Sequence, residues 1–292
     1  MIRRLKQYVV DRLGVTRIAM SADQATVSLQ ELRMWREVYL TSEMMAVTIA
    51  SPTQVSIVMA TRDRRDLCAR AIRSVLAQRH PHWQLLVVDD GSTDGTSDLA
   101  HELTDPRIQW HRTDGVGASA ARNVGLQHVT GEWVTFLDDD NLMHEGWLHA
   151  IVVHADRHPE CQGAYGAQLR QREATAGPSP LPLPWILLAG PQNLEELGSR
   201  NCIDLGSMAI RSTDPELWFR DDLKRFIDWE LVIRLQRSHG LCRLPVWTGV
   251  YNTDAPRRLT SVGGEDAADA FRARIADPND PAGQPGHART SR

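Results

Sequence analysis

The sequence contains very little lysine. Lys6 and Lys224 are its only lysines among 292 residues, so arginine carries nearly all of the positive charge. The formal net charge is −4 at pH 7, which argues against a general nucleic-acid-binding protein with a basic face. No apolar run approaches the roughly 20 residues of a membrane span. The N-terminal segment has charge but no long apolar core, so we expect no secretory signal and a cytoplasmic protein.

Cysteine is scarce as well. The four cysteines lie far apart, at Cys68, Cys161, Cys202 and Cys242, and none forms a C-x-x-C pair. The sequence therefore predicts neither a zinc cage nor a disulfide framework, and it fits a reducing compartment. The 11 histidines also lack the spacing of metal ligands.

Strand and helix patterns alternate from residue 55 onward. Short apolar runs rich in β-branched residues predict buried strands, and apolar residues at helical spacing lie between them. The strands are predicted at 55–59, 85–88, 107–111 and 132–137, and the helices at 65–79, 95–103, 118–129 and 146–157. Such alternation implies right-handed βαβ crossovers, and so an α/β domain with a mostly parallel central sheet flanked by helices. Farther on, we expect strands at 161–169, 203–210 and 243–251 and a helix at 228–238.

The chain divides into three parts. Residues 1–52 form an N-terminal helical extension, residues 53–262 the main domain, and residues 263–292 a flexible C-terminal tail rich in Ala, Asp, Pro and Arg. Within the main domain we distinguish 53–141 from 142–262. The extension is either a pair of helices packed on the domain or on a second copy, or a basic amphipathic helix on the inner face of an anionic membrane.

Two of the predicted strands end in consecutive aspartates. Asp89 and Asp90 follow one strand, and Asp138, Asp139 and Asp140 follow another. In an open α/β sheet the carboxyl ends of the strands line the ligand crevice. Crowded carboxylates repel unless a cation lies between them or a pKa rises. A hard divalent cation such as Mg²⁺ or Mn²⁺, holding a diphosphate, is one explanation; simple capping of the following helices is the other.

Six segments, in order and spacing, resemble the family 2 glycosyltransferases with the GT-A fold. The nucleotide-sugar half is matched by VSIVMATRDR (55–64), LVVDDGSTDGT (86–96), GASAARNVG (117–125) and GEWVTFLDDD (131–140). The acceptor-side strand and the catalytic-base helix are matched by NCIDLGSMAIR (201–211) and FIDWELVIRL (226–235). The resemblance covers residues 54–255 and implies a GT-A domain, with 53–141 as its nucleotide-sugar half and 142–262 as its acceptor half.

The resemblance also implies a role for individual residues. The donor-binding set would have Ala60, Thr61 and Arg62 beside the nucleobase and ribose, Asp90 on the base, and Arg122 bracing the nucleotide or the sheet edge. Asp140 would be the metal ligand, with Asp138 and Asp139 near the ribose and the metal, and Asp138 as a further ligand. Asp228 would be the general base.

The function implied is an inverting, Mn²⁺- or Mg²⁺-dependent transfer of one sugar from a UDP-, GDP- or dTDP-sugar. The acceptor would be a glycan, a lipid-linked or a small molecule, in bacterial cell-surface or exopolysaccharide synthesis. Arg62 and Ile227 depart from the family, which often has an aromatic residue and an acid at these positions. The Q-x-x-R-W motif of processive membrane synthases is missing after Asp228.

Two alternatives remain at this stage. A nucleotidyltransferase that forms sugar nucleotides would normally have a Gly-rich phosphate loop after the first strand, where Ala60 to Asp63 stand instead. An inactive nucleotide-sugar-binding subunit would not need to keep Asp90, Asp138, Asp140 and Asp228 together.

Overall fold

The computed structural model describes residues 44, 46–47, 51–171, 185–188, 194–223, 225–252 and 269–273. Nearly all of the predicted N-terminal extension, most of the Pro-rich stretch before Trp185 and most of the predicted tail lie outside the described residues. In the described part of the chain, no helix is long and apolar enough to cross a membrane.

The described strands and helices follow the predicted alternation through the first half of the domain. The strands are β1 (Val55–Thr61), β2 (Trp83–Asp90), β3 (Ile108–Thr113), β4 (Trp133–Phe136), β5 (Leu142–Met143), β6 (Gly163–Gln171), β7 (Trp185–Leu188), β8 (Met208–Arg211) and β9 (Cys242–Tyr251). The helices are α1 (Arg65–Leu76), α2 (Leu99–Glu102), α3 (Ala118–Leu126), α4 (Trp147–Arg157), α5 (Leu194–Ser199) and α6 (Ile227–Ser238). Short 3₁₀ turns lie at Thr96–Asp98 and Leu205–Ser207.

The strands form one mixed sheet in the order β3-β2-β1-β4-β8-β6-β9-β5, with β7 pairing with β6. The first four strands in this order, β3, β2, β1 and β4, pair in parallel with their neighbours in that group. Strand β6 also pairs in parallel with β9. The pairs β4/β8, β6/β8, β6/β7 and β5/β9 are antiparallel. The α/β class is therefore confirmed, but a mostly parallel sheet describes only the first half.

Helices cover both faces of the central strands, which explains their continuous apolar runs. Ile57 of β1 belongs to a buried cluster with Ile72 of α1 and Trp147 of α4. Val58, the next residue, faces the opposite side and belongs to a cluster with Trp229 of α6. Successive side chains of a strand point to opposite faces, so β1 contributes to the core on both sides.

The predicted strand at 203–210 is shorter in the structure. Its first part is the 3₁₀ turn Leu205–Ser207, and Asp204 caps that turn by accepting a hydrogen bond from the backbone N–H of Gly206. The strand proper begins at Met208. The run of apolar residues gave no sign of the turn, because both the turn and the strand are buried.

Cys161 and Cys242 form a disulfide, so the expectation of a chain without disulfides is wrong. The two residues are 81 positions apart in sequence, which is why their spacing gave no signal. Parallel pairing of β6 with β9 sets Ala164 beside Cys242, and this brings Cys161, just ahead of β6, within reach. Cys68 and Cys202 are buried free thiols.

Part of the segment expected to be a flexible tail belongs to the folded domain. Residues 269–273 are helical. Phe271 is buried, and its ring centroid lies 5.1 Å from that of Phe226 and 5.0 Å from that of Trp229. This short helix therefore packs beside the start of α6.

Candidate active site

A cavity of about 440 Å³ opens where β1, β2 and β4 end. Its wall is formed by Ala60, Thr61, Arg62, Asp63, Arg64, Asp90, Gly117, Ala118, Arg122, Asp138, Asp139, Asp140 and Tyr251. All seven predicted donor-binding residues lie in this wall, together with Asp140, the predicted metal ligand. Five aspartates and three arginines in the wall give a formal charge of −2. The cavity therefore favours a cation, or an anion that arrives with one.

Asp90 holds the loop that closes one side of the cavity. Its Oδ1 accepts hydrogen bonds from the Thr113 hydroxyl at 2.6 Å and the Val116 N–H at 2.7 Å, and its Oδ2 accepts one from the Gly117 N–H at 2.9 Å. Burial alone raises the pKa of Asp90, but these hydrogen bonds outweigh it and leave the pKa below its ordinary value. A carboxylate offers about four lone-pair positions, so an ionised Asp90 retains room for one more donor.

Asp139 lies in the cavity wall and organises its floor. Its two oxygens accept hydrogen bonds from the Thr61 hydroxyl at 2.8 Å and from Nη1 of Arg64 at 2.8 Å. Only 5% of its surface is exposed, and this burial raises its pKa although Arg64 opposes the shift. Asp139 is thus better placed to fix the end of β1 than to contact a ligand.

Two arginines pair with the outer aspartates of the triplet. Nη1 of Arg64 also lies 2.9 Å from Oδ2 of Asp140. Nη2 of Arg122 lies 2.7 Å from Oδ1 of Asp138. Arg122 comes from α3, so this ion pair joins the helix to the end of β4 and braces the sheet edge.

Asp228 lies in the first turn of α6 and outside the residues that form the cavity wall. Burial raises its pKa; hydrogen bonds from Asn201 and from the backbone of Trp229 oppose that rise. The charge of Asp138 raises the pKa further and the charge of Arg122 lowers it. Asp228 is therefore within electrostatic reach of the cavity wall, on its Asp138 side.

The geometry adds positioning residues that the sequence pattern did not single out. Nδ2 of Asn201 donates to Oδ2 of Asp228 at 2.7 Å, and Arg64 holds two aspartates of the triplet. Asn201 and Arg64 both belong to segments that resemble the family. A sequence pattern does not show, however, which partner a polar side chain contacts when the two residues are 27 or 75 positions apart.

Asp204 is a further acid on this side of the molecule. Its Oδ1 accepts hydrogen bonds from Nε2 of Gln168 at 3.0 Å and from the Gly206 N–H at 2.9 Å. Burial, together with the charges of Asp138 and Asp228, raises its pKa. Three carboxylates, from β4, the 3₁₀ turn and α6, thus repel one another beside the cavity.

The oxygen ligands that the cavity offers fit a hard divalent cation. Carboxylate oxygens are the ligands that Mg²⁺ and Mn²⁺ prefer, and Asp138 and Asp140 both line the negatively charged cavity. Both carboxylates already pair with a cationic side chain, Asp138 with Arg122 and Asp140 with Arg64.

Comparison with known proteins identifies relatives of this chain. The model of the family "Glycosyl transferase family 2" matches residues 56–214. WcaA of Escherichia coli K12, named for colanic acid biosynthesis, is 30% identical over 190 residues, which cover 64% of this chain and 67% of WcaA. TuaG of Bacillus subtilis 168, named for teichuronic acid biosynthesis, is 41% identical over 90 residues, 30% of this chain and 36% of TuaG. The match to an uncharacterized glycosyltransferase of Rickettsia conorii spans only 17% of that protein.

Solved structures share the fold. A fragment of TarS from S. aureus with UDP-GlcNAc superposes with a TM-score of 0.56 at 18% identity, over 78% of this chain and 67% of that chain. A mannosyltransferase from Pyrobaculum calidifontis with GDP-Man and Mn²⁺ gives a TM-score of 0.50 at 17% identity, over 86% and 74%. The fold is that of the GT-A glycosyltransferases, and because the family model covers more than half of the sequence, the chain belongs to glycosyl transferase family 2.

Proposed function

We propose that the protein transfers one sugar from a nucleoside-diphosphate sugar to an acceptor hydroxyl, with inversion at the anomeric carbon and with Mn²⁺ or Mg²⁺. The observation that carries the proposal is that the charges of Asp138 and Arg122, which both line the cavity, act on Asp228. This supports a candidate base within electrostatic reach of a cavity suited to a cation and a diphosphate.

The nucleoside would bind along the ends of β1 and β2. Asp90 is ionised and buried at the cavity wall, where a carboxylate can accept a hydrogen bond from a base N–H. Arg62 is exposed, with its Nη1 4.0 Å from Oδ2 of Asp90, so its planar guanidinium can stack on the base. Ala60 and Thr61 line the cavity and would form its floor beside the ribose.

The diphosphate would lie near the aspartate triplet. A divalent cation held by Asp138 and Asp140 would offset the charge that grows on the leaving diphosphate. Arg64 and Arg122, which now pair with these aspartates, supply guanidinium groups that can form paired hydrogen bonds with phosphate oxygens.

The acceptor hydroxyl would approach from the side of Asp228. A carboxylate at this position can take the proton as the hydroxyl oxygen attacks the anomeric carbon. The hydrogen bond from Asn201 fixes one oxygen of Asp228 and thereby orients the whole carboxylate. A single displacement of this kind inverts the anomeric configuration.

The setting is inferred from the relatives. WcaA and TuaG are named for colanic acid and teichuronic acid biosynthesis, and WfgD of Escherichia coli is named as a glucosyltransferase that acts on a GlcNAc-diphosphoundecaprenol. We infer a glycan or lipid-linked acceptor of that kind. Contact of residues 1–50 with a second copy or a membrane surface stays a prediction, because nearly all of these residues lie outside the described part of the chain.

The proposal is tested by donor binding. UDP-, GDP-, dTDP- and CDP-sugars should be titrated into the full chain by calorimetry, each with and without Mn²⁺. We expect one base class to bind and Mn²⁺ to tighten it at least about tenfold, which corresponds to about 1.4 kcal/mol. Asp140→Asn should remove the Mn²⁺ effect, while Asp66→Asn, an exposed carboxylate on α1, should retain it. Binding of no donor, or an Mn²⁺ effect that survives Asp140→Asn, would overturn the proposed site.

A further inference from the structure

Three potential metal ligands meet where α4 ends and where β6 and β9 begin. One ring nitrogen of His154 and the Sγ atoms of Cys161 and Cys242 all lie within 4.8 Å of one another. Cys242 is the first residue of the 10-residue strand β9, and Tyr251, which lines the cavity, is its last. At a rise of about 3.3 Å per residue, the cluster lies roughly 30 Å from the cavity end of the strand. It is a feature separate from the glycosyltransferase site.

His154 gives the cluster a property that a disulfide does not explain. Its Nε2 is buried and has no hydrogen-bond partner among the described residues. A buried polar atom without a partner is destabilising, and a disulfide needs no imidazole beside it. A cation bound by the imidazole would explain why this histidine faces two sulfur atoms.

We propose that reduction of the Cys161–Cys242 bond opens a site for one Zn²⁺ ion, held by the two thiolates and the imidazole of His154. Zinc takes nitrogen and sulfur ligands in a tetrahedron, with bonds of about 2.0–2.3 Å, so ligand atoms lie about 3.5–3.8 Å apart. The two sulfur atoms, which are bonded to each other at present, must separate to about this distance after reduction. The ring nitrogen lies at most 4.8 Å from them and must move closer by no more than about 1.3 Å. Water takes the fourth position, or His158, whose ring centroid lies 4.7 Å from that of His154.

Reduction of the S–S bond to two thiols takes two electrons and two protons. In a cell two thiols supply them and form a disulfide, and in the experiment a phosphine and water supply them and form a phosphine oxide. Binding of Zn²⁺ releases both thiol protons, since thiolate is the ligand. The imidazole of His154 binds the ion in its neutral form, through the ring nitrogen that carries no proton. The disulfide and the zinc ion exclude each other, because both use the same sulfur atoms.

Cobalt is the probe, because thiolate ligands give Co²⁺ a strong charge-transfer absorption in the near ultraviolet that carboxylates do not give. The full chain should be reduced with a phosphine, freed of it without air, and titrated with Co²⁺ and then Zn²⁺. We expect one equivalent of Co²⁺ with this absorption, displaced by one equivalent of Zn²⁺, and no absorption before reduction.

Matched variants assign the ligands. Cys242→Ser should abolish the absorption, and Cys202→Ser, at a buried free cysteine, should retain it. His154→Gln keeps both cysteines, and it should still form the disulfide but bind Co²⁺ at least tenfold more weakly. Asp140→Asn should leave the absorption unchanged, which separates this site from the proposed sugar-transfer site. Absence of the absorption in the reduced parent chain, or unchanged Co²⁺ affinity in His154→Gln, would overturn the proposal.

Discussion

At the scale of single residues, an alternating set of charges connects the cavity to the candidate base. Asp138 faces the cavity and forms an ion pair with Arg122 at 2.7 Å. Both of these charges also act on Asp228, in opposite directions. A metal cation bound to Asp138 would therefore weaken the repulsion between Asp138 and Asp228. We expect the pKa of Asp228 to fall when the donor binds together with its metal ion.

Replacing Asp228 by Asn removes the proposed proton acceptor but retains its size. We expect the transfer rate to fall by about 10²–10⁴, the usual contribution of a general base, while the dissociation constant for the donor changes less than twofold. Product formation and donor calorimetry on the same preparation give the two values. Asp66→Asn is the control, since its side chain is 96% exposed. A variant that retains full turnover would exclude Asp228 as the base.

Replacing Asn201 by Ala removes the hydrogen bond that opposes the raised pKa of Asp228. The pKa of Asp228 should therefore rise further, because the ionised form loses a donor. We expect the acid limb of kcat/KM against pH to move to higher pH, with most of the activity recovered above the new pKa. An equal loss of activity at every pH would instead show that Asn201 acts only on the structure.

At the scale of elements, strand ends and helix starts bring the site residues together. Thr61 pairs with Asp89 at the ends of β1 and β2, so both strands stop at the same level of the sheet. α6 starts at Ile227, after Phe226 in a left-handed conformation with φ of 57°. The helix starts immediately after Phe226, so Asp228 lies in the first helical turn. There the helix dipole favours a negative charge.

Helix α3 carries Arg122 to the cavity, and Gly125 determines how closely it can approach the sheet. A Cβ on Gly125 would lie 2.7 Å from Cγ1 of Val58 and 3.3 Å from Cγ2 of Val88. We expect Gly125→Ala to lower the free energy of unfolding by about 1–3 kcal/mol through overpacking, as measured by urea titration.

The matched control is Gly198→Ala in α5, where a Cβ would meet nothing within 4 Å. Alanine there should leave the free energy of unfolding unchanged or raise it by up to about 1 kcal/mol, because glycine is unfavourable within a helix. Equal effects of the two substitutions would contradict close packing of α3 on β1.

At the scale of the whole molecule, a parallel half and a largely antiparallel half share one sheet. They join where β8 pairs antiparallel with β4, and the aspartate triplet follows β4 directly. The cavity on the parallel half thus lies beside Asp204 and Asp228, which come from the second half. Phe271, from the far end of the chain, packs against Phe226 and Trp229 on either side of Asp228.

Phe271→Ala should lower the free energy of unfolding by about 3 kcal/mol, the low end for deleting a buried phenylalanine ring. Asp269→Ala in the same short helix is the control, since the side chain of Asp269 is 67% exposed. Thermal unfolding of both variants measures the difference. A Phe271 variant as stable as the control would show that residues 269–273 do not contribute to the core.

The sequence was enough to predict the α/β class, the ends of β1, β2 and β4 within a few residues, and the family. It could do so because buried strands, helical periodicity and the aspartates that follow strands are local patterns. The meeting of Asp90 and the triplet at one cavity followed from the rule that parallel strands end at one edge, whereas Ala60, Thr61, Arg62 and Arg122 were added by the resemblance to the family.

The contacts that depend on pairing between distant segments could not be predicted from such local patterns. Four such features join residues far apart in sequence: the antiparallel pairing of β8 with β4, the Cys161–Cys242 bond, the hydrogen bond from Asn201 to Asp228 and the burial of Phe271. Local periodicity does not encode which strand lies next to which, because any apolar face can pack against several others. Strand register and helix packing select one arrangement, and the polar contacts follow from it.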